Sequence, residues 1–151
     1  MYYLEDLTDE LEFDIGSIGI TKESIIDFAE KYDPQKFHLD ENVAKKMFGG
    51  LIASGWHTAS LCNRLLVDGF LCQAACMASP GVDQLQFIKP VFANDTLKGK
   101  LSIISTKQFE SKPDRGLAKL KLEMFNANNE PVISMIGNVI IACKPEHNKA
   151  N

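Results

Sequence analysis

The sequence predicts an α+β domain, with helices in the first half and antiparallel strands wrapped on one long helix. Three observations carry this. Ile25, Ile26, Phe28, Ala29 and Tyr32 recur at helical spacing. A segment from Trp56 to Leu66 holds no Pro or Gly and is apolar around most of its circumference, as a buried helix is. From Asp83 onward the pattern turns to period two, broken by turn signals.

The first helix is capped by Thr21 and ends near Tyr32, because Pro34 disfavours helical geometry at Asp33. Asp33 and His38 then fall in an irregular segment. A short helix follows through "ENVAKKMF", capped by Asp40. The long helix spans about 55–68, with charge confined to Arg64 and Asp68. "DQLQFIKPVF" alternates as a strand, and "ANDTL" is a turn. "LKGKLSIISTKQFES" and "GLAKLKLEMFNA" are strands joined by the polar "ESKPDRG". After the turn "NANNEP", "VISMIGNVIIACK" is a last apolar strand, and the tail "PEHNKAN" is expected to be flexible. Without repeats or linkers, residues 1–151 read as a single domain with its core at about 10–142.

Composition excludes several classes of function. A net charge of −4 argues against nucleic-acid binding, which needs a basic face. No apolar run is long enough to span a membrane, and the acidic "MYYLEDLTDELEF" does not read as a signal peptide. Cys62, Cys72, Cys76 and Cys143 lie among apolar residues and read as small core fillers. Cys72 and Cys76 are spaced to share a helix face, but no further metal ligand stands near them. A reducing, cytoplasmic setting fits such thiols.

The stretch "YDPQKFHLD" sets Asp33 and His38 five residues apart around a proline. A carboxylate accepts protons, and an imidazole both gives and takes them near neutrality, so two such groups across a substrate could activate a water. On the residues alone, a turn-capping Asp and a surface His remain open. Gly55 opens the buried helix, where first-turn amides are unpaired and a carbonyl can approach closely, so the spot suits an oxyanion hole. A packing role for Gly55 is the alternative. Ser54 either hydrogen-bonds near that site or caps the helix. Trp56 is a packing anchor or a substrate plate, and His57 packs in the first turn or lines an acyl tunnel. Asp83 reads as structural.

Three blocks in order, "YDPQKFHLDE", "FGGLIASGWHTASL" and "PGVDQLQFIKPVFANDTL", resemble the MaoC-like dehydratases, which include the (R)-specific enoyl-CoA hydratases. The likeness covers roughly residues 10 to 142. Asp33 and His38 match the ends of the family's catalytic motif. Gln35, Lys36 and Phe37 depart from its usual Asn, Pro and aliphatic spacer, and Asn94 replaces a common glycine at a left-handed turn.

The resemblance implies a hot-dog fold, a curved antiparallel sheet around a central helix. It implies hydration of 2-enoyl thioesters to (R)-3-hydroxyacyl thioesters, or the reverse, by Asp33 and His38, with the Gly55 amide as oxyanion donor. Coenzyme A or acyl carrier protein would be the thioester carrier; no metal or other cofactor is called for. A homodimer or higher homo-oligomer is expected by the same analogy. Lys36, Lys45, Lys46 and Lys89 are the cations that could meet phosphate or an acidic carrier surface. A hot-dog thioesterase is the rival enzyme, disfavoured because the long helix bears no acid before Asp68. A non-catalytic acyl-thioester-binding subunit is the other.

Overall fold

The computed structural model describes residues 1–145; the tail expected to be flexible lies almost wholly outside them. The elements run β1 (Glu12–Gly19), α1 (Lys22–Tyr32), α2 (Lys36–Leu39), α3 (Glu41–Phe48), α4 (Gly55–Gly69), β2 (Cys76–Phe87), β3 (Thr96–Gln108), β4 (Arg115–Phe125) and β5 (Pro131–Ala142). The five strands form one antiparallel sheet in the order β1-β3-β4-β5-β2. α4 packs on β1, β3 and β4. This is the hot-dog arrangement that the sequence resemblance implies.

Alternation explains which face of the sheet meets α4. On β4, Ala118, Leu120, Leu122 and Met124 are buried, while the Lys119 and Lys121 side chains between them stay accessible. Leu101 and Ile103 of β3 and Ile133, Val139 and Ile141 of β5 extend the same layer. Cys62, Leu65 and Leu66 meet it from α4. Each fully buried Leu or Ile stabilises the fold by about 1.5–3 kcal/mol.

Two close approaches seat the helix. A Cβ on Gly69 would stand 2.8 Å from the Ile15 Cα, and one on Gly99 would stand 2.7 Å from the Ile15 side chain. These contacts let β1 cross the end of α4.

Helix ends follow their chemistry. Thr21 Oγ1 accepts from the Ser24 amide at 3.1 Å, and Asp40 Oδ1 accepts from the Asn42 amide at 2.8 Å. Asn94 adopts the left-handed conformation at φ 70°, as its turn requires.

The structure corrects four expectations. His38 lies not in an irregular segment but in the one-turn helix α2, too short to show periodicity. Strand β2 starts at Cys76 and ends at Phe87, so it begins earlier and ends sooner than its alternation suggests. Cys72 and Cys76 share no helix face: Cys72 lies in a 3-10 turn and Cys76 opens β2. Both are exposed, and only Cys62 and Cys143 are core fillers. Burial pushes the Cys62 thiol up to about 12 and, as the largest cause, the Cys143 thiol up to about 11.

Candidate active site

The site is assembled where α1 ends, α2 turns and α4 begins. Asp33 closes α1, its amide donating to the Ala29 carbonyl at 2.9 Å. Pro34 turns the chain, and the His38 amide donates back to the Gln35 carbonyl at 3.0 Å. One helical turn thereby carries His38 round to face Asp33. A separate bridge between Ile52 and Phe92 delivers the start of α4 to the same place. It is held by the Ala53 amide on the Val91 carbonyl at 2.8 Å.

His38 is 4% exposed. Its Nδ1 lies 2.8 Å from the Ile52 carbonyl oxygen. A carbonyl only accepts, so Nδ1 carries a proton, and Nε2 is the ring nitrogen turned toward Asp33. Nε2 and Asp33 Oδ2 are 3.4 Å apart, so the imidazole and the carboxylate face one another directly in one site. The Phe37 ring stands edge-on to the imidazole at a centroid distance of 4.5 Å, and Phe48 backs Phe37 at 5.6 Å.

Asp33 is held by two donors. Ser54 Oγ donates to Oδ2 at 2.7 Å and Gln35 Nε2 donates to Oδ1 at 2.6 Å. The Ser54 bond is the main reason that the carboxyl stays below its ordinary pKa; Gln35 and the nearby imidazole add to it, against burial, which pushes the other way. Asp33 is therefore ionised at neutral pH. Of the unusual spacer residues, Gln35 is thus a ligand of the carboxylate and Phe37 a wall of the imidazole, while Lys36 is exposed.

Because Ser54 spends its hydroxyl on Asp33, it gives α4 no side-chain cap. Among the described residues the amides of Gly55, Trp56 and His57 meet no backbone acceptor. These donors sit at the positive end of the helix dipole. Gly55 lines a cavity of about 240 Å³ together with His38 and Thr58. Its apolar walls come from Ile52, Phe87, Ile88, Val91 and Val132. The Phe87 ring lies so close over Gly55 that a Cβ there would meet it at 2.4 Å. Asp33 is not part of the lining and joins it through His38.

The other sequence candidates fall elsewhere. Trp56 is 60% exposed, so it anchors no core; its ring meets Phe87 edge-on at 5.8 Å. His57 is buried outside the cavity lining and stacks flat on Phe28 at 4.7 Å, as a packing residue does. Burial lowers its pKa, and its Nδ1 has no hydrogen-bond partner. Asp83 pairs with Lys119 and Asn138 on the sheet, away from the site. Asp68 is exposed and bonded to Arg64, leaving the opening turns of α4 without a carboxylate.

Sequence reading missed the Ile52 carbonyl, which no side-chain pattern announces. It also missed Phe87 as a lining residue, and it named Lys89 only as a cation for phosphate or a carrier surface, although both lie in the resembling block "LQFIKPVF".

A family model described as "MaoC like domain" matches residues 10–122. A MaoC-like dehydratase from Rhodospirillum rubrum is 34% identical, with a TM-score of 0.89 over 96% of this chain and 99% of that one. The uncharacterised protein YdeM of Bacillus subtilis (strain 168) is 34% identical over 95 residues, 62% of this chain and 67% of its own. An (R)-hydratase from A. caviae involved in PHA biosynthesis shares the fold with a TM-score of 0.68 at 21% identity, covering 93% of this chain and 99% of that one.

Proposed function

Since the chain belongs to the MaoC-like domain family, we propose that it is a hydratase/dehydratase that interconverts 2-enoyl and (R)-3-hydroxyacyl thioesters of coenzyme A or acyl carrier protein. One observation carries this reading. Two groups able to exchange protons, Asp33 Oδ2 and His38 Nε2, stand 3.4 Å apart, with His38 lining an apolar cavity that also holds the unpaired Gly55 amide.

In the hydration direction a water donates one O–H to Asp33 Oδ2 and the other to His38 Nε2. Its oxygen attacks C3, and the proton on the Asp33 side passes to the carboxylate. The C2–C3 π electrons move to the thioester oxygen, where the Gly55 amide meets the developing charge. Asp33 then returns its proton to C2 as the enolate collapses. The second O–H stays with the product hydroxyl, so all atoms of one water end in the product. The bonds from Ser54 and Gln35 make protonated Asp33 a strong acid and favour the return step. Dehydration runs the same steps backward.

The test is crotonyl-CoA hydration, followed as loss of the conjugated enoyl absorbance, for wild type, Asp33→Asn and His38→Ala. Each substitution is expected to cost about 10²–10⁴-fold in kcat. Wild-type turnover in both variants would remove the mechanism.

A homodimer belongs to the same proposal. β2 is an edge strand with Met77, Val82 and Phe87 exposed, and Trp56 and Ile88 are exposed with them. A long apolar edge of this kind is one that proteins cover.

A further inference from the structure

Among the residues that line the catalytic cavity, Lys89 alone has a fixed charge. It follows Ile88, whose amide donates to the Val132 carbonyl at 2.9 Å, so its backbone is fixed to the start of β5. Lys89 also lines a second, polar hollow with Asn126, Asn128 and Glu130. Its ammonium is paired with Glu130 on that side. Glu130 belongs to the hollow and does not line the cavity. Asn126 holds Glu130 in place, donating to Oε1 at 3.2 Å and accepting from the Glu130 amide at 3.0 Å. The Lys89 side chain is 45% exposed and carries its ammonium on a flexible four-carbon stem.

A charged residue beside apolar walls has nothing to pair with in a purely hydrocarbon acyl group. We propose that Lys89 selects acyl thioesters whose far end carries a carboxylate, with Glu130 holding the ammonium until that carboxylate replaces it. This rests on the hydratase reading and names the substrate class for the same site.

The experiment compares two stable ligands that differ only at the chain end. They are the butyryl and succinyl pantetheine analogues with CH2 in place of the thioester sulfur. Calorimetric binding to wild type, Lys89→Met and Glu130→Gln is measured beside hydration of crotonyl and fumaryl N-acetylcysteamine thioesters. Wild type is expected to prefer the succinyl analogue by about tenfold, the range of one charge-assisted pair. Lys89→Met should lose that preference by weakening succinyl binding alone, and Glu130→Gln should enlarge it. A wild-type preference for butyryl, or the same preference in Lys89→Met, overturns the proposal. Hydration of the crotonyl thioester without any Lys89-dependent preference overturns it while sparing the hydratase reading. A Lys89-dependent preference without hydration of either thioester does the reverse. Binding of neither analogue overturns both. Melting midpoints near that of wild type show that the two surface variants are folded.

Discussion

At the scale of single residues, the site is a carboxylate kept ionised and an imidazole kept in one tautomer. Ser54 does the larger part of the first task and the Ile52 carbonyl does the second. Ser54→Ala should therefore raise the Asp33 pKa and move the acidic limb of the kcat/KM profile to higher pH, with a loss of about tenfold at neutral pH. A pH–rate series on the variant checks this. Asp33 also makes stability pH-dependent. Its folded pKa lies below the ordinary 3.8, so the stability that it contributes is present above 3.8 and is lost as pH falls through the folded value.

His57 acts in a separate window. Its pKa is lowered from 6.5 by burial, so as pH falls below 6.5 the unfolded chain takes up the proton first and stability declines. His57→Phe keeps the stack on Phe28 and removes the unpartnered Nδ1. It should stabilise the protein by about 1 kcal/mol and flatten the fall in melting temperature below pH 6.5. Thermal melts at pH 5 and 7.5 would register both effects. The Asp33–His38 pair was legible in the sequence because it matches the two ends of the family's motif; its spacing alone left a turn-capping Asp and a surface His open. The donors that set its chemistry were not, since Ser54 reads equally as a helix cap and a backbone carbonyl has no residue signature.

At the scale of elements, the long helix was legible from an apolar run without Pro or Gly, β3 and β4 from their alternation, and β5 from its apolar run after a turn. The misses have physical causes. β1 escaped because its left-handed Gly16, at φ 95°, shifts the register between Asp14 and Gly16 and breaks the alternation of Phe13, Ile15 and Ile18. The first half of β2 escaped because it contains Pro80 and Gly81, tolerated there by an edge strand whose register shifts three times. The seating of α4 on β1 depends on Gly69, where the nearest obstacles include backbone that cannot rotate aside. Gly69→Ala should cost about 1–3 kcal/mol in a urea melt, with the m-value unchanged.

At the scale of the whole molecule, the fold places the Asp33–His38 pair beside surface that one chain leaves uncovered. No helix among the described residues is long and apolar enough to cross a membrane. A second copy of the chain is the proposed cover for the β2 edge and for Trp56. Light scattering should give a mass near twice 16.8 kDa, and Val82→Lys with Trp56→Ser should shift it toward the single chain without loss of the folded far-ultraviolet spectrum.

The most direct test of the central claim is the configuration of the product. Wild-type protein is given crotonyl-CoA in water, and the 3-hydroxybutyryl product is released and resolved by chiral chromatography. The (R) enantiomer alone is predicted. The (S) enantiomer, a racemate, or free thiol in place of a hydroxyacyl thioester would contradict it.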